Sequence, residues 1–493
     1  MGKVITLPQV GYPAEFLGRR VIYSDAEKID DKNVIEELQK AILVHSFNSH
    51  QINYLYRYYL GRQPILDKVK LVREEINHKV VENHANKIVS FKTGYLIGEP
   101  VQYVSSDGDE SLETIKSFNK FMKRTKKKKS DKKLVEWGYI CGTGYRLALP
   151  GTDAKNPVKI ATLDPRYAFV VYRNDTDETP LMGVKYIVRQ DGKVIYSVYT
   201  EGNYYEIEGN MDIVTKAANT DKKKISTGTM KIAKAASIIT HTIPIIEYPM
   251  NNARLGAFEI VLTLLDAINE VESGRVDGVD SFVQALMMFK GADISEEIWD
   301  QIKDMGAFSV PPEADAKYLT QELNQSQTQT LVENMYHIVD VIVGMPSFSD
   351  GNSSDSSNNG AIILKNGWEQ AEAKAKDDET MFEASELDFL NLATYYVNAL
   401  SKIEIDPVDI EVRFTRRNYE NITEKTNVLR TMLGTDMIDP KLAFEHCGLF
   451  ADPDLAYKQS MEYYKTVQQQ EKEDLERADK VAKDAAKSQI GLE

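Results

Sequence analysis

Between Ile243 and Leu400 the chain runs helix, small α/β insert, helix, a Gly/Ser/Asn/Asp loop and one very long helix, and this order constrains the fold more than any single motif. The first helix reads from Asn252 to about Val271, because Leu255, Phe258, Leu262, Leu265 and Ile268 recur at spacings of three and four. Pro244 and Pro249 bring the chain in extended, and Asn251 or Asn252 is placed to cap the helix. The second helix reads from about Thr328 to Val343, with Leu331, Met335, Ile338 and Ile342 on one stripe, and it stops at Gly344 and Pro346.

The stretch between them, Phe282 to Gln321, alternates pattern. FVQALMMFKG reads as a strand, SEEIWDQIKDMGAF as an amphipathic helix and DAKYLTQ as a second strand. Ser347 to Gly360, SFSDGNSSDSSNNG, carries one large apolar residue and reads as a loop that cannot bury itself. From Ala361 to Leu400 only Gly367 interrupts a helical composition, and 40 residues of helix reach about 60 Å. Such a helix needs neighbours along its length.

Upstream, Asn33 to Phe47 and Ser111 to Met122 read as amphipathic helices. Tyr145 to Ile207 is β-rich, and Asp191-Gly192 and Glu201-Gly202 punctuate it as hairpin turns. Its tyrosines alternate along strands, which points to sheet packing rather than a ligand-binding face. LVEWGYICGTGY carries Trp137 from a helix into the sheet, where it reads as core.

Composition sets bounds. The chain has 493 residues, 42% hydrophobic and 27% charged, which suits a soluble protein with two or more cores. No apolar run reaches the roughly 20 residues that span a bilayer, and the first residues lack a signal-peptide core. Cys141 and Cys447 are too few for a disulfide framework and read as buried thiols.

Enzyme signatures are missing from the sequence. It has no Walker-type phosphate loop and no GxSxG elbow, and CGTGY is a partial glycine motif. His78 and His84 in HKVVENH are spaced by six, which puts them on different faces of a helix, unlike a zinc-binding i, i+4 pair, and they read as structural. PPEADAK, with Asp315 and Lys317, faintly suggests a metal-dependent nuclease but has no identifiable distant acidic partner.

The segment IPIIEYPMNNARLGAFEIVLTLLDAINEVESGRVDGVDSFVQALMMFKG resembles the portal proteins of tailed bacteriophages, specifically the type found in long-tailed phages of Gram-positive hosts. YYLGRQPIL at Tyr58 to Leu66, NHANKIVSFKTGYLIGEPVQY at Asn83 to Tyr103 and VRFTRRNYENITEK at Val412 to Lys425 agree with that family. The resemblance extends from about Leu43 to Tyr464. It implies an α+β, mainly helical fold with wing, stem, clip and crown, repeated as a ring of twelve around a channel at one capsid vertex.

Transferred by position, residues 1–243 become the N-terminal segment and wing, 244–273 the first stem helix, 274–327 the stem connection and clip, and 328–346 the second stem helix. Residues 347–360 become a tunnel loop, 361–420 the long wing helix and return strand, 421–477 the crown and 478–493 a flexible tail. The stem candidates are Arg254, Phe258, Leu262, Leu265, Met335 and Ile338. Ser349, Asp350, Asn352, Ser353, Ser354 and Asn358 are the DNA-facing candidates of the tunnel loop, and Glu296, Glu297 and Asp300 those of the clip. The implied partners are further copies of the chain, double-stranded DNA without sequence preference, the terminase large subunit, head-completion or adaptor proteins, scaffold and major capsid protein. The implied location is the capsid portal vertex, with assembly in host cytoplasm; no membrane, cofactor or metal is expected, and no residue receives a catalytic role.

The net charge of −15 is unlike the basic footprint of a DNA binder. A basic wall would hold DNA tightly through counterion release, whereas twelve copies at −15 each total −180 and favour sliding. The exception is FMKRTKKKKSDKK, with Lys126, Lys127, Lys128 and Lys129, which reads as a solvated loop or helix face; the other reading is a patch that contacts DNA or scaffold. Two alternatives from other classes share these features: a metal-dependent nuclease acting on phage DNA, and a structural adaptor that forms no ring.

Overall fold

The computed structural model describes residues 18–71, 74–105, 112–210, 230–238, 240, 242–283, 286–290, 315–319, 325–346, 367–414, 422–435, 437–450 and 453–490. Its helices are α1 (Val34–Tyr59), α2 (His84–Ile97), α3 (Leu112–Arg124), α4 (Lys127–Cys141), α5 (Leu262–Val283), α6 (Gln325–Val343), α7 (Trp368–Ser401), α8 (Ile422–Leu433), α9 (Pro440–His446) and α10 (Pro453–Ile490). Its strands are β1 (Ile22–Ser24), β2 (Gln102–Ser105), β3 (Thr143–Asp153), β4 (Asn156–Leu163), β5 (Ala168–Arg173), β6 (Pro180–Val188) and β7 (Lys193–Thr200). They continue with β8 (Asn203–Asn210), β9 (Lys231–Ser237), β10 (Ile245–Pro249), β11 (Leu286–Lys290), β12 (Asp315–Leu319) and β13 (Ile410–Arg413). The class is α+β and mainly helical.

Two compact units divide these elements. The first takes Met1–Thr93, Leu134–Arg146 and Leu163–Phe382, and the second takes Gly94–Lys133, Leu147–Thr162 and Glu383–Glu493.

In the first unit six strands form one sheet in the order β1-β5-β6-β7-β8-β9. β1 joins β5 in parallel and the rest is an antiparallel meander. The turns fall where expected: Asp191-Gly192 joins β6 to β7 and Glu201-Gly202 joins β7 to β8, with φ of +81° at Gly192 and +76° at Gly202. Only glycine takes that conformation without strain. One face packs Val171, Met182, Val184, Tyr196, Val198, Tyr205 and Ile207 against α1, which supplies Val34, Leu38, Ala41 and Ile42 at helical spacing. Tyr186, Tyr196, Tyr199 and Tyr205 of the meander are therefore core, while Tyr172 and Tyr204 are half-buried. α1 runs twelve residues past the expected Phe47, because Ile52, Leu55 and Tyr58 prolong its buried stripe. Trp137 is buried and stacks on Tyr56 at 4.9 Å between ring centroids.

The second unit pairs β2 with β13, Tyr103 opposite Val412, and joins β3 to β4 through a turn in which Asp153 accepts from the amides of Lys155 and Asn156. Phe118 of α3 and Phe389, Leu390 and Val397 of α7 are buried in it. α9 opens on Asp439, whose carboxylate accepts from the Lys441 amide, with Pro440 at the first helical position. Phe444 of α9 stacks on Phe450 and meets Tyr457 of α10 edge-on. α10 runs on through the expected tail to Ile490, as its helix-forming composition favours, and its residues from 478 through Val481 are exposed. Cys141 and Cys447 are buried and free, and burial pushes the Cys141 thiol up to about 12.

His45 of α1 lies wholly inside the first unit, stacked on Phe169 at 4.4 Å and 3.2 Å from the Arg166 carbonyl through Nε2. Burial pushes its imidazole down to about 4 from 6.5. The unfolded chain takes up this proton near pH 6.5 and the folded chain resists it until about pH 4. The neutral ring's contribution is thus complete above pH 6.5 and is lost as pH falls to 4, on the order of 3 kcal/mol. Urea titrations at pH 7 and 4.5 should show this fall, and His45→Gln should flatten it; equal slopes in both proteins would refute the assignment.

Candidate functional site

The helix pair singled out in the sequence is α5 and α6, which pack together in the first unit. The approach to α5 differs from the expected helix at Asn252. The chain leaves β10 at Pro249 and turns, and Arg254 adopts φ of +53°; α5 begins at Leu262 after a 3-10 turn at Glu259–Val261. The cause is a buried ion pair. Arg254 Nε and Nη2 donate to Glu247 at 2.8 and 3.2 Å, and Glu247 also accepts from Thr143 at 2.9 Å and Tyr172 at 2.8 Å. Burial alone raises the Glu247 carboxyl, but Arg254 and these donors outweigh it and hold it below the usual range. Asn251 does not cap a helix: its side chain bonds both the amide and the carbonyl of Leu255, closing the loop. A Cβ on Gly256 would lie 2.4 Å from the Ile140 carbonyl oxygen, so the loop is pressed against α4.

The stem candidates separate accordingly. Arg254 is buried and off the helix. Phe258 also precedes α5 and stacks on Tyr58 at 5.8 Å, while Leu262 and Leu265 lie on α5 but are buried. The spacing of these residues reports burial and extends through backbone that is not helical.

α5 continues twelve residues beyond the expected Val271, and its added turns carry a signal the sequence reading missed. Asn269, Ser273 and Asp277, four apart, each accept a backbone amide from the segment beside α5: Glu82 at 2.8 Å, Val80 at 3.0 Å and His78 at 2.7 Å. Polar residues at i, i+4 and i+8 were the available sign. Burial raises the Asp277 carboxyl, yet the His78 amide and ring and Lys68 hold it at about 2. His78 sits outside any helix and His84 opens α2, so the expected helical spacing of the two does not apply.

α6 starts at Gln325, three residues before the expected Thr328, and stops at Val343, as Gly344 and Pro346 require. Val332, Val339 and Val343 are buried, whereas Leu331, Ile338 and Ile342 are 47%, 46% and 43% exposed and Met335 is half-buried. The stripe read from the sequence is thus the outer of two apolar faces. Tyr336 donates to Glu82, and Lys87 stands 3.7 Å from Asp340.

Where α6 ends, a recess of about 350 Å³ opens, lined by Ile260, Ile342, Leu255, Met381, Lys92 and Asp378 among others. Burial lowers the Lys92 ammonium and raises the Asp378 carboxyl, which accepts from Tyr139 at 2.8 Å. β11 and β12 pair antiparallel, Leu286 opposite Leu319, and match the two strands expected of the insert; Asp315 and Lys317 lie on β12. Glu296, Glu297 and Asp300, and Ser349, Asp350, Asn352, Ser353, Ser354 and Asn358, lie outside the described residues. Among the described residues no group of three or more His, Cys, Asp or Glu could hold a metal ion, and no helix is long and apolar enough to cross a membrane.

The basic run departs from the expected solvated face at one residue. Lys126, Lys128 and Lys129 are exposed, but Lys127 is buried in the second unit, 2.6 Å from Asp131 and 2.8 Å from Glu386.

The family model described as "Phage portal protein, SPP1 Gp6-like" matches residues 38–483. No curated protein matches the chain. Among solved structures, a chain of "Neck of empty GTA particle computed with C6 symmetry" is similar at 11% identity and a TM-score of 0.43, over 74% of this chain and 90% of that one.

Lys127→Ala should destabilise the protein by about 3–5 kcal/mol, because it leaves two buried carboxylates without the ammonium between them. Lys128→Ala and Lys129→Ala should stay within about 0.5 kcal/mol. Urea unfolding of the three variants tests the distinction.

Proposed function

The chain belongs to the phage portal family of SPP1 Gp6-like proteins, and from that premise we propose that twelve copies close into a ring at one capsid vertex, forming the conduit by which genomic DNA enters and later leaves. The observation that carries this reading is the family match over residues 38–483. The outer stripe of α6 favours self-association, since a helix with apolar residues on two faces is made to be covered on both.

In this reading α5 and α6 are the stem, β11 and β12 belong to the clip, residues 347–360 form the tunnel loop, α7 is the long wing helix and α8 to α10 make the crown. The clip, with Glu296, Glu297 and Asp300, docks the terminase large subunit during packaging and head-completion or adaptor proteins afterwards. Scaffold and major capsid protein surround the ring in the shell, which assembles in host cytoplasm.

The physical task of such a wall is to pass DNA without holding it. DNA presents a charge about every 1.7 Å along its axis, and a protein neutralising six to ten phosphates loses affinity steeply with salt. The chain's net charge of −15 opposes such a grip. Ser349, Asp350, Asn352, Ser353, Ser354 and Asn358 offer hydroxyls, amides and a carboxylate but no cation, so their contacts position the duplex transiently and ignore its sequence. A twelve-fold wall around a helix of about 10–10.5 base pairs per turn cannot repeat one contact at every subunit.

Light scattering on a sizing column followed by electron-microscope class averages should give a closed ring of twelve copies of 55.8 kDa each, about 670 kDa, with a central hole. A stable dimer or an open filament would favour an adaptor that forms no ring. The assembled ring should bind linear duplex weakly, with log affinity against log salt falling by less than about 2, far from the slope near −5 to −9 of a gripping surface. Charge reversal at Glu296, Glu297 and Asp300 should abolish packaging in an in vitro assay while leaving the ring intact; unchanged packaging would remove these residues from motor docking.

A further inference from the structure

The corner where α3 meets α4 carries a strongly charged surface that the conduit reading leaves without a task. Residues 114–135 hold ten Lys or Arg and one acid, Asp131, a net of +9, which leaves −24 for the rest of a chain whose total is −15. The one acid is turned inward. Lys127 Nζ reaches Asp131 at 2.6 Å and Glu386 at 2.8 Å and lies over the Phe389 ring. With that pair withdrawn, the outer face is cationic only. Lys116, Lys120 and Lys123 form the exposed stripe of α3, facing away from the buried Ile115, Phe118 and Met122. Lys128, Lys129, Lys132 and Lys133 form that of α4, facing away from Lys127 and Asp131. These seven lysines lie in the second unit, and none has an ion pair among the described residues.

A face that serves only to be solvated is built differently in this chain. α10 sets opposite charges one turn apart, Glu473 with Arg477 and Glu476 with Lys480, all exposed, and such pairs support a helix. On α3 and α4 the corresponding pairs are like charges, Lys116 with Lys120, Lys128 with Lys132 and Lys129 with Lys133, and they oppose it. Lys128 and Lys129 also stand in the first turn of α4, which holds no acidic residue, where the positive end of the helix repels them. At the joint Lys126 takes φ of +58°, a left-handed conformation that is unfavourable for a residue with a side chain. A surface that repels itself at each of these points is relieved when an anion covers it.

The surroundings select the anion. A duplex is stiff, with a persistence length of about 50 nm, so a duplex held at this corner also brings its charge to the remaining −24 of the chain. A short flexible acidic segment is spared that repulsion, because at physiological salt charges more than about 8 Å apart are largely screened. The lysines of each row recur about once per helical turn of 5.4 Å, the spacing of carboxylates three and four residues apart on a facing helix. We propose that the α3–α4 corner docks an acidic segment of a partner protein, its carboxylates facing the two lysine rows. The contact needs one copy only and stands apart from the ring reading.

The test measures the anisotropy of a labelled oligoglutamate against the full chain, below and above its assembly concentration, with a DNA duplex of equal charge as competitor. The wild type should bind the peptide, and the duplex should displace it poorly. Lys128→Gln, Lys129→Gln, Lys132→Gln and Lys133→Gln together, at exposed positions where glutamine keeps the helix, should weaken peptide binding at least about tenfold, about 1.4 kcal/mol. Lys32→Gln, Lys465→Gln, Lys472→Gln and Lys480→Gln together, also exposed, should change it less than about twofold. No peptide binding by wild type, binding that the first variant leaves unchanged, or equal loss in both variants would overturn the surface. A duplex that displaces the peptide and itself loses affinity in the first variant would mark a nucleic-acid surface, and peptide binding that vanishes as copies assemble would mark a contact between copies; either overturns the acidic partner. The ring reading is untouched by all of these, since it stands or falls on the light scattering and class averages.

Discussion

The pair between Glu247 and Arg254 determines where the first unit stops being sheet and becomes helix. Both groups are buried, so each has lost hydration worth several kcal/mol, and the geometry must repay it. It does so through two bonds from one guanidinium and further donors from β3 and β5, namely Thr143, Tyr145 at 3.3 Å and Tyr172. A carboxylate that accepts from two strands and from the loop after its own strand ties three pieces of chain to one point. The Arg254 carbonyl then accepts the Arg19 amide at 3.2 Å, and the Arg19 guanidinium pairs with Glu259 just before α5. The chain cannot enter helix until it has cleared this knot, which is why α5 begins at Leu262.

That knot also explains what the sequence made legible. Apolar spacing identified residues that face inward, and Phe258, Leu262, Leu265 and Ile268 are all buried. It misread the backbone at Leu255 and Phe258, because periodicity responds to burial and a loop held by Asn251 and Arg254 can bury side chains at the same intervals. Local chemistry was the most readable: the glycine hairpins, the stop at Gly344 and Pro346, and the two short strands of the insert follow from neighbours in sequence. Lys127 was unreadable for the opposite reason. Its carboxylate at Glu386 lies 259 positions away, and nothing in a run of lysines says which one will be drawn inside. Within the candidate site the same division holds. Met335 and Ile338 stand on the helix expected of them, but the direction in which their stripe points depends on which face of α6 packs internally, and Val332, Val339 and Val343 compete on equal terms for that role.

Polar and apolar surfaces divide the labour in the helix pair. α5 is fixed to residues 78–82 by Asn269, Ser273 and Asp277, whose hydrogen bonds are directional and occur once per turn. Sliding α5 by one residue would break these bonds to the buried Asn269, Ser273 and Asp277 at roughly 1 kcal/mol or more each, whereas an apolar seam would tolerate the shift at little cost. Register is therefore held inside the chain by polar groups, leaving apolar side chains free to be displayed at its surface.

In the proposed ring this division would have a mechanical consequence. Contacts between copies that are apolar and non-directional can yield a little as a helical cargo turns past a wall of different symmetry, because dispersion contacts fall off gradually with small displacements. The polar ladder within each copy does not yield in the same way, since a hydrogen bond weakens steeply once its angle departs from line. Strain from an off-register duplex would then be taken up between subunits and not inside them. A conduit built this way would keep each of these helices in its own register while the proposed ring accommodated its cargo.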